Sequence, residues 1–160
     1  MREKKSMKNL YNLTFCISLF TFAIIDASQQ EGILFFYDER TNTEWICGEQ
    51  RFSRLVIDAP TKNHVFYGEF SSDSNIHIIA KNLIIIGSLL SANNIGLKAS
   101  HDFFNAGRIE ADKSVNIIAG ENVYNGLNDE AIARIQALGI DVSFADAEHR
   151  SLKVSRPSRN

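Results

Sequence analysis

Proline, glycine and cysteine are all scarce in this chain of 160 residues. Two prolines and nine glycines exclude a collagen-like repeat and a Pro/Gly-rich disordered chain. Two cysteines, Cys16 and Cys47, are too few for a disulfide scaffold or a Cys-rich zinc module. An excess of either charge is missing as well. Seventeen Lys and Arg against nineteen Asp and Glu give −2, which argues against a general nucleic-acid binder. The four histidines, at 64, 77, 101 and 149, are dispersed and lack the H-E-x-x-H spacing of a metal site. Also missing are a dinucleotide or Walker loop, a G-x-S-x-G elbow and the calcium nonapeptide G-G-x-G-x-D. No catalytic, cofactor or metal residue is therefore assigned.

What is present divides the chain unevenly. Arg2, Lys4, Lys5 and Lys8 precede an uncharged run, Leu13 to Ile25, and small residues follow at Ala27 and Ser28. A basic start, a short apolar stretch and a small-residue exit describe a secretory signal peptide over 1–28. Thirteen apolar residues span only ~20 Å as a helix, short of the ~30 Å hydrocarbon core. An uncleaved anchor is the alternative, because Ile25 or Asp26 would stand three residues before the cut. Without the leader, thirteen bases face seventeen acids and Cys47 is the one cysteine left. That excludes an intramolecular disulfide, and Cys47 reads as a small buried apolar residue.

The middle repeats itself. Ile76, Ile95 and Val115 recur at 19 and 20 residues. So do Ile78, Leu97 and Ile117, and Ala80, Ala99 and Ala119. Asn82, Asp102 and Asn122 recur at 20; Gly87 matches Gly107, Leu89 matches Ile109, and Ala92 matches Ala111. A weaker earlier coil puts Ile57, Asn63, Gly68 and Phe70 on the same columns. Within each coil, apolar residues alternate with period two, the mark of a strand with one inward face. Asn, Asp and Gly between the strands suit turns. The pattern predicts an all-β fold: a single-stranded, right-handed parallel β-helix of about four coils over 58–126. Coils stacked ~4.8 Å apart align each column. A leucine-rich repeat fails on pattern, and a β-sandwich would not require columns at 19–20.

Asn105, Gly107, Ile109 and Ala111 form N-x-G-x-I-x-A, followed by Val115–Gly120 as a strand. This resembles the repeat of filamentous haemagglutinin-like proteins, the adhesins exported by two-partner secretion. The likeness covers roughly 74–126. It implies a β-helix at or released from a bacterial cell surface, an outer-membrane secretion partner, and adhesion to a host or cell-surface glycan or protein. The Asn-Pro-Asn motifs of that family's secretion domain are absent; the prolines are Pro60 and Pro157.

The flanks read as caps. Residues 29–57 hold two apolar runs, Ile33–Tyr37 and Trp45–Cys47, joined by a polar turn. Asn128 to Gly139 reads as an amphipathic helix with Ala131, Ile135 and Leu138 on one face, expected to cover the edge of the last coil. Residues 140–144 suggest one more strand within a 127–148 cap. Residues 149–160 carry four bases and no acid and read as a solvated tail.

A search of the outward columns for chemistry yields little. Asp58, His77, Gly96 and Asn116 form one column, and Lys81, Ser100 and Gly120 another. The best local cluster is His101 and Asp102 with Arg108 and Glu110, and His101 reads as a turn residue without a second carboxylate beside it. Phe103, Phe104 and Tyr124 suggest a sugar-stacking strip but are more simply core. The sequence thus predicts an exported, non-enzymatic β-helix with a structural or adhesin-like role. Its rivals are a polysaccharide-binding or polysaccharide-cleaving module and a bactofilin-like self-assembling scaffold.

Expressed with a C-terminal tag, the full chain should fractionate outside the cytoplasm with a new N-terminus near residue 29 by mass spectrometry. Recovery solely as intact cytosolic chain would defeat the export reading.

Overall fold

The computed structural model describes residues 23–27 and 33–143. The strands are β1 (Ala23–Ala27), β2 (Ile33–Asp38), β3 (Thr43–Ala59), β4 (Asn63–Ser72), β5 (Ile76–Ala80) and β6 (Leu83–Ser91). They continue with β7 (Asn94–Ala99), β8 (Phe103–Asn105), β9 (Arg108–Ala111), β10 (Ser114–Ala119) and β11 (Val123–Asn125). One helix, α1 (Asp129–Ala137), follows.

The strands stack into a parallel β-solenoid of about four turns with three flanks. On the first flank, β3 pairs with β4, β4 with β6, β6 with β8 and β8 with β11, all in parallel. The second flank is the far half of the same long strands, ending on β9. The third runs β3, β5, β7, β10. The columns read from the sequence are the ladder partners: Ile57 with Ile78, Leu97 and Ile117, and Ala59 with Ala80, Ala99 and Ala119. These side chains point inward with Phe52, Phe66, Phe70, Leu89 and Phe103 to form a dry lumen.

Two columns differ from expectation, each because a corner holds an extra residue. Ala111 pairs with Ser91 rather than Ala92, since the added residue sits at the corner near Ser100, ahead of β8. His77 pairs with Val56, while Asp58 stands on the row of Ile79, Lys98 and Ile118. Here the longer corner lies between Ser72 and Ile76, which makes that spacing 21.

The bend between the first two flanks is a glycine column. Gly48, Gly68 and Gly87 have φ of 117°, 133° and 116°. A Cβ on Gly87 would lie 2.0 Å from the Gly68 carbonyl oxygen, and one on Gly68 would lie 1.9 Å from that of Gly48. Backbone of one coil therefore rests where any side chain of the next would begin.

The head of the stack is closed by antiparallel strands. β2 pairs with the first half of β3, and β1 with its second half. The hairpin expected from Ile33–Tyr37 and Trp45–Cys47 is present, but its second strand is already the first coil, which begins at Thr43 rather than after residue 57. The rest of the expected leader, and the 149–160 tail, lie outside the described residues.

The helix does not cover the last coil's edge. It lies against the outer face of the first flank, where Val65, Ile84, Ile86 and Phe104 point outward and bury Ala131 and Ile135. That flank is apolar on both faces, which explains runs such as Leu83–Ile86 that alternation alone does not. The helix begins at the Asn128 side chain, which accepts the Ala131 N–H at 2.8 Å. It ends at Gly139, which abuts Thr41 in the head turn. The expected strand over 140–144 does not form among the described residues. Ile140 and Val142 instead bury alternately in the helix cluster, and the Asp141 carboxylate caps the Ser143 N–H.

Substituting Gly87 with Ala should destabilise the fold by on the order of 3 kcal/mol, from forbidden φ plus a backbone clash. Urea unfolding within ~0.5 kcal/mol of wild type would refute this account of the bend.

Candidate functional site

The repeat-motif residues hold the corners. Asn63 donates to the Thr41 carbonyl at 2.9 Å, and Asn82 donates to the Asn63 side-chain oxygen at 2.8 Å. The Asn82 oxygen accepts the Asp102 N–H, and Asp102 accepts both the N–H and the side-chain amide of Asn122. Each rung thus satisfies polar groups of the next in a largely buried ladder. Asp102 also receives Arg134 from α1 at 3.1 Å, which ties the helix to the corner. Asn105 accepts the Gly107 N–H and donates to Asn125, while Ile109 and Ala111 pack against the lumen core. Gly87 stands in the bend column. All eight motif residues are accounted for by the stack itself.

The expected surface clusters rearrange. His101 lies 2.8 Å from Glu121 of the next coil, so a carboxylate does stand beside it, which the single-coil reading missed. Arg108 pairs separately with Glu110. Phe103 is sealed in the lumen, whereas Phe104 stacks on Tyr124 at 4.9 Å beneath the helix flank. These aromatics are core and do not form a strip. Cys47 is half-buried, and burial raises its pKa, which disfavours the reactive thiolate.

One ionisable cluster is buried. Glu44 and His64 are ladder partners on the inward face of the first two coils, at 2% and 0% exposure. Lys62 reaches Glu44 at 2.5 Å and lies over the Tyr37 ring. The His64 Nε2 is 3.5 Å from Glu44, yet neither ring nitrogen makes a hydrogen bond. Desolvation, with Lys62 nearby, lowers the His64 pKa to about 3, so the ring is neutral. Desolvation raises the Glu44 pKa against the opposing pull of Lys62. With Leu83 and Phe103 continuing the column, the pair occupies core positions closed to any ligand.

The accessible feature is a shallow groove that starts at the glycine bend. Three adjoining hollows of about 340, 300 and 300 Å³ follow one another across the outer face of the second flank, from the bend to the corner at Ser72 and Ser91. Register sets its lining in rows. Glu49, Glu69, Ser88 and Arg108 form one, and Arg51, Ser71, Leu90 and Glu110 the next. Tyr67 and Ile86 line the other side. Arg51 pairs with Asp73 at 2.5 Å, and the Arg108 Nε reaches Glu110 at 2.7 Å. Glu49 and Glu69 have no ion-pair or hydrogen-bond partner among the described residues. They are exposed neighbours on adjacent parallel strands, ~4.8 Å apart at the backbone. Such a like-charged pair is mildly unfavourable for the fold. The sequence pattern does not show the pair, because Glu49 falls in the 29–57 segment that reads as a cap.

No group of three or more metal-ligating side chains occurs among the described residues, and none of their helices is long and apolar enough to cross a membrane. No protein-family model matches the chain, and no curated protein or solved structure is found to be similar to it. The fold is a β-solenoid whose second flank carries an open, acidic groove among the described residues.

Acid should destabilise the protein through His64. Its folded pKa is depressed, so between pH 6.5 and about 3 the unfolded state binds more protons and stability falls with pH. Glu44, whose folded pKa is raised, opposes this in sign. Replacing His64 with Leu, the residue one rung on, should flatten the slope and recover on the order of a few kcal/mol at the acid end. An unchanged pH profile of urea midpoints in H64L would contradict it.

Proposed function

We propose that this chain is an exported, non-enzymatic surface-binding protein, adhesin-like in role, that holds an extended glycan strand in the glycine-bend groove. The observation that carries the reading is the groove's geometry. It follows the strand direction across neighbouring coils and presents hydroxyls, carboxylates and the Tyr67 ring along its length. An extended chain laid along it meets polar partners from several coils at once. Tyr67 and Leu90 supply apolar ground for sugar faces, while Glu49, Glu69, Ser71 and Ser88 supply polar partners. Two arginines are internally neutralised by Asp73 and Glu110, so the groove favours neutral or basic sugars over acidic ones. The N-x-G-x-I-x-A resemblance at Asn105–Ala111 and the basic, then apolar, N-terminus support display outside the cytoplasm.

Cleavage is the second reading, because Glu49 and Glu69 are two carboxylates on neighbouring rungs of an open groove. They stand in equivalent exposed positions, however, whereas acid and base roles call for environments that differ. Binding is therefore preferred.

On a glycan array, the full chain should retain neutral or amino-sugar polymers. The E49A/E69A variant should lose about tenfold or more in affinity with its thermal midpoint not lowered. Retention of no glycan, or equal retention by the double variant, would sink the proposal. Release of new reducing ends by wild type but not by E49Q would favour the cleaving reading instead.

A further inference from the structure

The two ends of the solenoid are unlike. At the head, β1 and β2 pair antiparallel with β3 and cover the edges of two flanks. At the tail, β9, β10 and β11 each pair with one strand, and among the described residues their outer edges have no partner. Inward-facing residues of this last coil are consequently open: Val115 is 43% exposed and Val123 58%. Their counterparts one coil below, Ile95 and Phe103, are at 1%. A row of free strand edges over an open apolar lumen is a ready template for a pairing strand. The helix does not serve, because it lies on the outer flank.

We propose that the tail coil is a homodimer interface, in which two copies meet tail to tail about a two-fold axis. One feature favours a second copy over other occupants: the tail is self-complementary. With the axis through Ile117, β10 pairs antiparallel with its own copy and each inward residue meets an inward one. Val115 then faces Ala119 of the other copy, and Ile117 faces itself. The same register sets Lys113 opposite Glu121, twice by symmetry. Lys113 has no ion-pair partner within its own chain among the described residues, and β9 falls opposite the copy's β11. A two-fold interface uses the tail of each copy once, so the assembly closes as a dimer and does not extend as a filament.

Sedimentation of the full chain from about 1 to 100 μM tests this, with far-UV circular dichroism reporting the fold. Wild type should run as a dimer. K113E should raise the dimer dissociation constant about tenfold or more by opposing Glu121 across the axis. The charge-exchanged K113E/E121K should restore it, and V115K should give folded monomer. A monomer at every concentration would overturn the proposal and leave the tail to a segment of the same chain or another partner. A dimer that ignores K113E and V115K but is lost in L34E/F36E, on the exposed face of β2, would overturn it equally. The glycan array reads a separate surface, so either result stands without the other.

Discussion

In-register stacking governs this molecule. Once each coil sits ~4.8 Å above the last, every residue has an equivalent above and below it, and each column must suit that neighbour. Apolar columns fill the lumen, amide columns exchange hydrogen bonds at the corners, and the bend admits only glycine because the next backbone occupies the space of a side chain. The same constraint generates the groove. A bend repeated in register becomes its start, and an exposed residue repeated in register becomes a row.

Stacking also creates faults that the chain must resolve. An open head would expose strand edges, and β1 and β2 close it with reversed strands. The first flank carries an apolar outer row, which α1 and the Ile140–Val142 segment cover. Arg134 locks that cover to the corner ladder through Asp102. At the tail the lumen itself stays open, with Val115 and Val123 exposed. Among the described residues an ionisable pair reaches the lumen side at one place, Glu44 with His64, directly beneath the head cap and within reach of Lys62. There the column is still shallow, and a charge can be met from the rim.

How much of this was legible varied along the chain. Where coils keep equal corners, as from Ile76 to Ala119, the columns could be read directly, because period two and a 19–20 residue recurrence coincide. Where a corner gains a residue, at Asp73–Asn75 or near Ser100, the recurrence slips and the assignments of Asp58 and Ala92 slip with it. The first coil was hidden more deeply. It shares strand β3 with the cap hairpin, and its lumen positions include Glu44 and Gln50, which do not look like core. The Glu49–Glu69 pair vanished with that coil, and with it the main feature of the groove.

The sequence by itself determined the repeat, the identity of its corner residues, the inward set and the helix with its caps, because each is a local pattern of spacing and residue type. Tertiary structure decided where the helix packs, which acids become neighbours, and which end stays open. These depend on the exact length of each corner and on which outer flank is apolar. Residues as far apart as Thr41 and Gly139 meet only when the whole stack is built.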